Sequence, residues 1–348
     1  MPEQPLHDFD TLAFRQRGNR GCFQVDNTIT GAPYSKLFSR AWVFQERMLS
    51  RRTLHFGHTE TGWECCSLVD CECSPHQLSY DPMDTYQLSL KTMMEEFPWI
   101  DILQRYTKLD ITVPTDRLVA VSGLAKERYR RSRVPYFAGL WADKMTAELL
   151  WQVGYRSITQ RPPTRLPIAP TWSWASMSGS INWGTGRALH ENRDHKECCL
   201  DWRVLSFKMT SKEFPDMFAA TARARLTIEG LLVEVIINDS RVEERSWGRS
   251  ETCNVGIKKE QVVPKEFRQD VRASIYWDVG YDEQLDYTLF ITSHPREHMQ
   301  GIILTPADEQ NTYTRCGMFD VAPSYAEEPR DPFLCWLEYL EMRKFHLI

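Results

Sequence analysis

Gln45, Glu46, Arg51 and Arg52 lie close together in sequence, and His55 follows within a few residues. A carboxylate beside an imidazole can pass a proton to and from a substrate, because the imidazole titrates near neutral pH. A guanidinium beside them can hold an anion or offset developing negative charge. Glu46, His55, Arg52 and Gln45 are therefore the catalytic candidates. The competing assignment is architectural: Gln45 and Glu46 tether neighbouring elements by hydrogen bonds, and His55 is a satisfied strand residue. Trp42, Trp63, Trp172, Trp174 and Trp183 are the ligand-binding candidates. Trp172 and Trp174 are two residues apart, so on an extended chain they share a face, and with Trp183 they could line a wall for an apolar or polycyclic ligand. The alternative is that these rings plug a junction between two layers.

Cys65, Cys66, Cys71 and Cys73, with His76 close behind, supply enough soft ligands for zinc. Their spacing is not that of paired CxxC ligands, which leaves Cys66, Cys71, Cys73 and His76 as weak metal candidates and buried or reactive thiols as the default. There is no Walker A loop, GxGxxG, HExxH or GxSxG. The sequence thus predicts no cofactor and argues against the common nucleotide, flavin, zinc-protease and serine-hydrolase chemistries.

The elements that must position these residues follow from the apolar pattern. From Lys36 to Leu49 apolar residues recur at three- and four-residue spacing, with Ser35 available as N-cap, which predicts an amphipathic helix with Gln45 on its buried stripe. Thr53 to Phe56 and Gly62 to Cys66 flank GHTET and predict a hairpin, with His55 facing away from Leu54 and Phe56. Helical signals return at Met83 to Glu96, Trp99 to Lys108, Asp116 to Arg131 and Phe137 to Gln152. Pro162, Pro163, Pro167 and Pro170 then interrupt the chain and place a domain boundary there. Beyond it the period changes to two, clearest in RARLTIEGLLVEV, with more strands predicted at Ser274 to Val279, Tyr287 to Thr292, Gly301 to Thr305 and Tyr313 to Val321, and a late helix at Pro332 to Arg343.

The fold expected is therefore α+β: a helical N-terminal half with a short β-hairpin, packed on a mainly antiparallel β C-terminal half. Residues 1–34 form a loosely structured lead-in segment, 35–160 a mainly helical region, and 161–348 a β-rich region.

The segment RAWVFQERMLSRRTLHFG at Arg40 to Gly57, followed by WEC, resembles the last motif of the fungal heterokaryon-incompatibility (HET) domain. TDRLVAVSGLA, YFAGLW, LLW and APTWSWAS are similar to the segments that follow that motif in HET proteins. The family's earlier motifs have no counterpart here, so the resemblance covers its later two-thirds. It implies a truncated HET-family protein, a partner-binding or regulatory component of incompatibility and cell-death responses. Tryptophan density and the polar residues around it support a second expectation, a cofactor-independent cyclase or isomerase of fungal secondary metabolism.

The formal net charge of −5, from 42 basic and 47 acidic residues, provides no uniform field to draw the chain to nucleic acid. No apolar run has signal-peptide or membrane-spanning length, which predicts an intracellular, cytoplasmic chain that does not insert in a membrane. Its partner is then a protein or a small apolar molecule. In a reducing compartment the ten cysteines are expected as thiols, and the twelve tryptophans as mostly core.

Overall fold

A computed structural model describes residues 37–56, 61–66, 69–71, 98–154, 163–184, 200, 202–209, 218, 224–245, 248–258, 271–293, 299–321, 337 and 339–348. The chain divides into two compact units, Met1–Ile102 and Leu103–Ile348.

In the first unit, helix α1 (Ala41–Leu49) leads into a three-stranded antiparallel sheet of β1 (Arg52–Phe56), β2 (Thr61–Cys65) and β3 (Val69–Cys71), in that order. The helix starts later than the periodicity suggests. Its N-cap is Arg40, whose side chain makes no capping bond. The β1–β2 register pairs Thr53 with Glu64, Leu54 with Trp63 and His55 with Gly62. Helix α2 (Trp99–Tyr106) carries the boundary between the units.

The second unit begins with α3 (Asp116–Ser132), which buries Leu118, Val121, Leu124 and Ala125 at helical spacing. Arg133 ends it in a left-handed conformation, φ 59°, with its N–H on the Tyr129 carbonyl. A short pair, β4 (Tyr136–Phe137) and β5 (Leu140–Trp141), precedes a 3₁₀ turn, the single helical turn α4 (Met145–Glu148) and β6 (Gln152–Val153). The last of these pairs with β7 (Ile181–Asn182).

The remaining strands are β8 (Arg203–Met209), β9 (Ala224–Arg245), β10 (Gly248–Ile257), β11 (Val271–Trp277), β12 (Tyr287–Ser293), β13 (Met299–Pro306), β14 (Thr312–Val321) and β15 (Met342–Leu347). They pair in the order β10-β11-β14-β13-β12-β9-β15, and a further β10–β9 pairing closes β9 through β14 into a ring. All pairs in that ring are antiparallel. Alternate residues fill its interior, among them Val233, Val235, Val255, Ile275, Leu289, Ile303 and Phe319. A six-stranded ring is narrow enough for side chains alone to pack it. Strands close so tightly that a Cβ on Gly301 would lie 2.0 Å from the Phe290 carbonyl oxygen.

This architecture corrects the fold class expected from sequence. Of the described residues 46% are in strands and 24% helical, and a large antiparallel sheet dominates; there is no helical N-terminal half. The helix expected over Phe137 to Gln152 is instead β4, β5, α4 and β6. Leu140, Trp141, Leu149, Leu150 and Trp151 have no exposed surface. A segment buried on every side shows apolar residues at all spacings, so its period says little. Ala138 and Gly139 decide the local path, with φ of 45° and 105° turning β4 into β5. A Cβ on Gly139 would also sit 2.4 Å from Trp174 Nε1. At the other end, Met342–Leu347 is strand β15 between β9 and β14; it takes in only the last two residues of the helix expected at Pro332 to Arg343, and residues 332–336 and 338 of that segment lie outside the described residues. The helix expected at 83–96 lies outside the described residues.

Candidate functional site

The hairpin of the first unit inverts the usual order of a half-buried sheet. Toward the interior it directs His55 (7% exposed) and Glu64 (0%), and α1 adds Arg47 (9%). Arg47 Nε donates to Glu64 Oε2 at 2.6 Å, and His55 Nε2 lies 3.1 Å from the same oxygen. The Phe38 ring covers this group, 5.6 Å from the Arg47 guanidinium and edge-on to His55 at 5.3 Å. Period two then forces the neighbours outward. Leu54 is 50% exposed, Phe56 82% and Trp63 36%. Leu54 and Trp63 are direct cross-strand partners, and exposed Arg52 stands two residues before Leu54 on the same face.

The catalytic candidates are thus divided. His55 is inside with Arg47 and Glu64; Glu46 and Arg52 are exposed; Gln45 is half-buried on the flank of α1, beside a stripe formed by Ala41, Phe44, Arg47 and Met48. Reading by residue type passed over Arg47 and Glu64. Glu64 has the inward parity on β2, shared with Gly62, and Arg47 follows Phe44 by three residues; both signals are in the sequence. Of the ligand candidates, Trp63 is on the open face and Trp42 is half-buried.

Trp172, Trp174 and Trp183 are in the second unit, without exposed surface. Trp174 donates to the Gly139 carbonyl at 3.1 Å and Trp183 to the Glu148 carbonyl at 2.9 Å, while the Trp172 carbonyl accepts from Trp151 Nε1 at 2.9 Å. They form a solid layer rather than an open wall. Arg315 of β14 clamps this layer to the ring of strands. Its guanidinium lies 3.4 Å from the Trp151 ring centre, donates to the Leu149 and Trp151 carbonyls, and is paired with Asp278. Asp278 also binds Arg165, which reaches the Arg315 carbonyl.

Glu148 is wholly buried in the same layer. Burial pushes its pKa up to about 8, opposed by the Trp141 N–H that donates to Oε2 at 2.6 Å, so it is mainly protonated at neutral pH. Its Oε1 has no hydrogen-bond partner. Clefts open on this unit. One of about 480 Å³ runs beside β8 and includes Phe137, Met145, Trp202 and Leu205. Another, of about 290 Å³, lies at the N-terminal end of α3.

Of the metal candidates, Cys66 is exposed and Cys71 ends β3, while Cys73 and His76 lie outside the described residues. Among the described residues no group of three or more His, Cys, Asp or Glu is placed to hold a metal ion, and no helix is long and apolar enough to cross a membrane.

No family model, curated protein or solved structure matches this chain. Function must be argued from its own geometry.

Proposed function

We propose that this chain is a partner-binding protein whose docking surface is the outward face of β1 and β2, acting as a regulatory component of the incompatibility response suggested by the HET-like segment Arg40 to Gly57. One observation carries the reading: the sheet buries Arg47, Glu64 and His55 and leaves Leu54, Phe56 and Trp63 in solvent. Desolvating charged groups is costly, and covering apolar surface contributes about 25 cal/mol per Å². A lone chain gains nothing from this inversion. A partner that covers the apolar face recovers the missing term, and contiguous exposed apolar side chains rimmed by charge mark such contacts.

The rim selects the partner's chemistry. Arg51 and Arg52 are exposed beside Leu54, so the complementary surface is a protein segment that carries apolar anchors and carboxylates. A cyclase pocket needs an accessible aromatic wall. Trp172, Trp174 and Trp183, the rings expected to form it, are buried and offer none.

Site-specific photocrosslinking tests this. A benzophenone amino acid at Trp63, in the full chain expressed in its native cells, is expected to label one defined protein, and Arg52→Glu is expected to suppress the adduct. The same substitution at Ile236, exposed on β9, is the control. Identical adducts from both positions, or adducts only between copies of this chain, would contradict the reading.

A further inference from the structure

Among the described residues three arginines are buried: Arg47, Arg117 and Arg315. Arg47 is paired with Glu64 and Arg315 with Asp278. Arg117, only 4% exposed, has no carboxylate on its guanidinium. Its Nη2 donates to the Gly179 carbonyl at 2.5 Å, its guanidinium lies 5.5 Å from the Trp174 ring centre, and its Nε has no partner. A buried cation without a counter-charge bears its desolvation cost uncompensated.

Arg117 also lines a cleft. The cavity of about 290 Å³ is bounded by Lys108, Asp110, Ile111, Leu166, Ser178 and Ser180 as well. It lies where the 17-residue helix α3 begins, so the partial positive charge of the helix end adds to Arg117 and Lys108. The opposing charges are Asp110 on the cleft wall and Asp116 in the first helical turn.

We propose that this cleft binds a small molecule through a single oxyanion group, a carboxylate or a phosphate, with Arg117 as its counter-ion. Arg117 lines the cleft with an Nε–H left unpartnered in the wall, and exposed Lys108 supplies a second cation. A guanidinium suits either group because its planar fork matches two oxygens at once. The volume limits the ligand to a small organic anion. The proposal does not depend on the function proposed for the hairpin face.

Calorimetric titration of the full chain with inorganic phosphate, and separately with acetate, at ionic strength held constant with chloride, tests this. At least one anion is expected to bind saturably with one site per chain, and the tighter arm identifies the group. Arg117→Met is expected to weaken that binding about tenfold or more, the loss of a charge-assisted hydrogen bond. Lys108→Gln, an exposed change that does not threaten the fold, is expected to weaken it about two- to fivefold. In the unaltered chain with ¹⁵N-labelled arginine, saturation is expected to move one solvent-protected Nε–H resonance, a readout that holds even if Arg117→Met fails to fold. Absence of binding in both arms, or binding that moves no protected arginine resonance, would overturn the proposal.

Discussion

The ring of strands β9 to β14 and the hairpin β1–β2 obey the same alternation with opposite contents. In the ring, inward positions are Val233, Val255, Ile275, Leu289 and Phe319. In the hairpin they are His55 and Glu64, and the apolar residues point out. The ring closes on itself and needs nothing more to bury its apolar side chains. The hairpin's outward face stays in solvent, and there the apolar residues Leu54, Phe56 and Trp63 lie on one face without being buried. Period two therefore tells which residues share a face; it does not tell which face is the inside.

One substitution in each place breaks the comparison if it is wrong. Phe319→Ala is expected to cost about 3–5 kcal/mol of unfolding free energy, as for a fully enclosed phenylalanine, measured by urea denaturation. Glu64→Leu is expected to cost about 3 kcal/mol, because it leaves Arg47 and His55 buried without their carboxylate; the transition should be followed by a probe within the first unit. A loss from Glu64→Leu as small as that of a surface change would mean that the charged interior of the hairpin is not a structural core.

The pH dependence sharpens the contrast between a paired and an unpaired carboxyl. Glu148 is held protonated in the folded chain, with its pKa raised from 4.5 to about 8. Its contribution to stability is fully present below the unfolded value, falls as pH rises from about 4.5 to about 8, and is level above that. Glu148→Gln is expected to flatten this part of the stability profile in denaturation at stepped pH. An unchanged slope would assign the titration to other groups.

The sequence made some of this legible and hid the rest for physical reasons. The hairpin and the alternation in RARLTIEGLLVEV are readable because strand parity is local. The opposite orientation of His55 to Leu54 and Phe56 was readable on the same ground. The segment Phe137 to Gln152 misled because burial on all sides erases the period, and two positive φ values at Ala138 and Gly139 set the path. The charged partners were the hardest to see. Arg315 and Asp278 are brought to Trp151 and Arg165 by strand pairing across most of the second unit, which no window of sequence contains. Arg117 reads locally as a first-turn helix residue, and only the folded chain shows its guanidinium buried on the Gly179 carbonyl beside a cleft.

The outward face of the hairpin is the central claim, and one paired measurement on Phe56→Ser tests it. Unfolding free energy and affinity for the protein crosslinked at Trp63 should be determined on the same preparation. Stability is expected to stay within about 0.5 kcal/mol of the unaltered chain, as at an exposed position, while affinity falls at least about tenfold, as for an apolar anchor of an interface. A loss of about 2 kcal/mol or more in stability with affinity unchanged would contradict the account, because it would show that Phe56 serves the fold and not a partner.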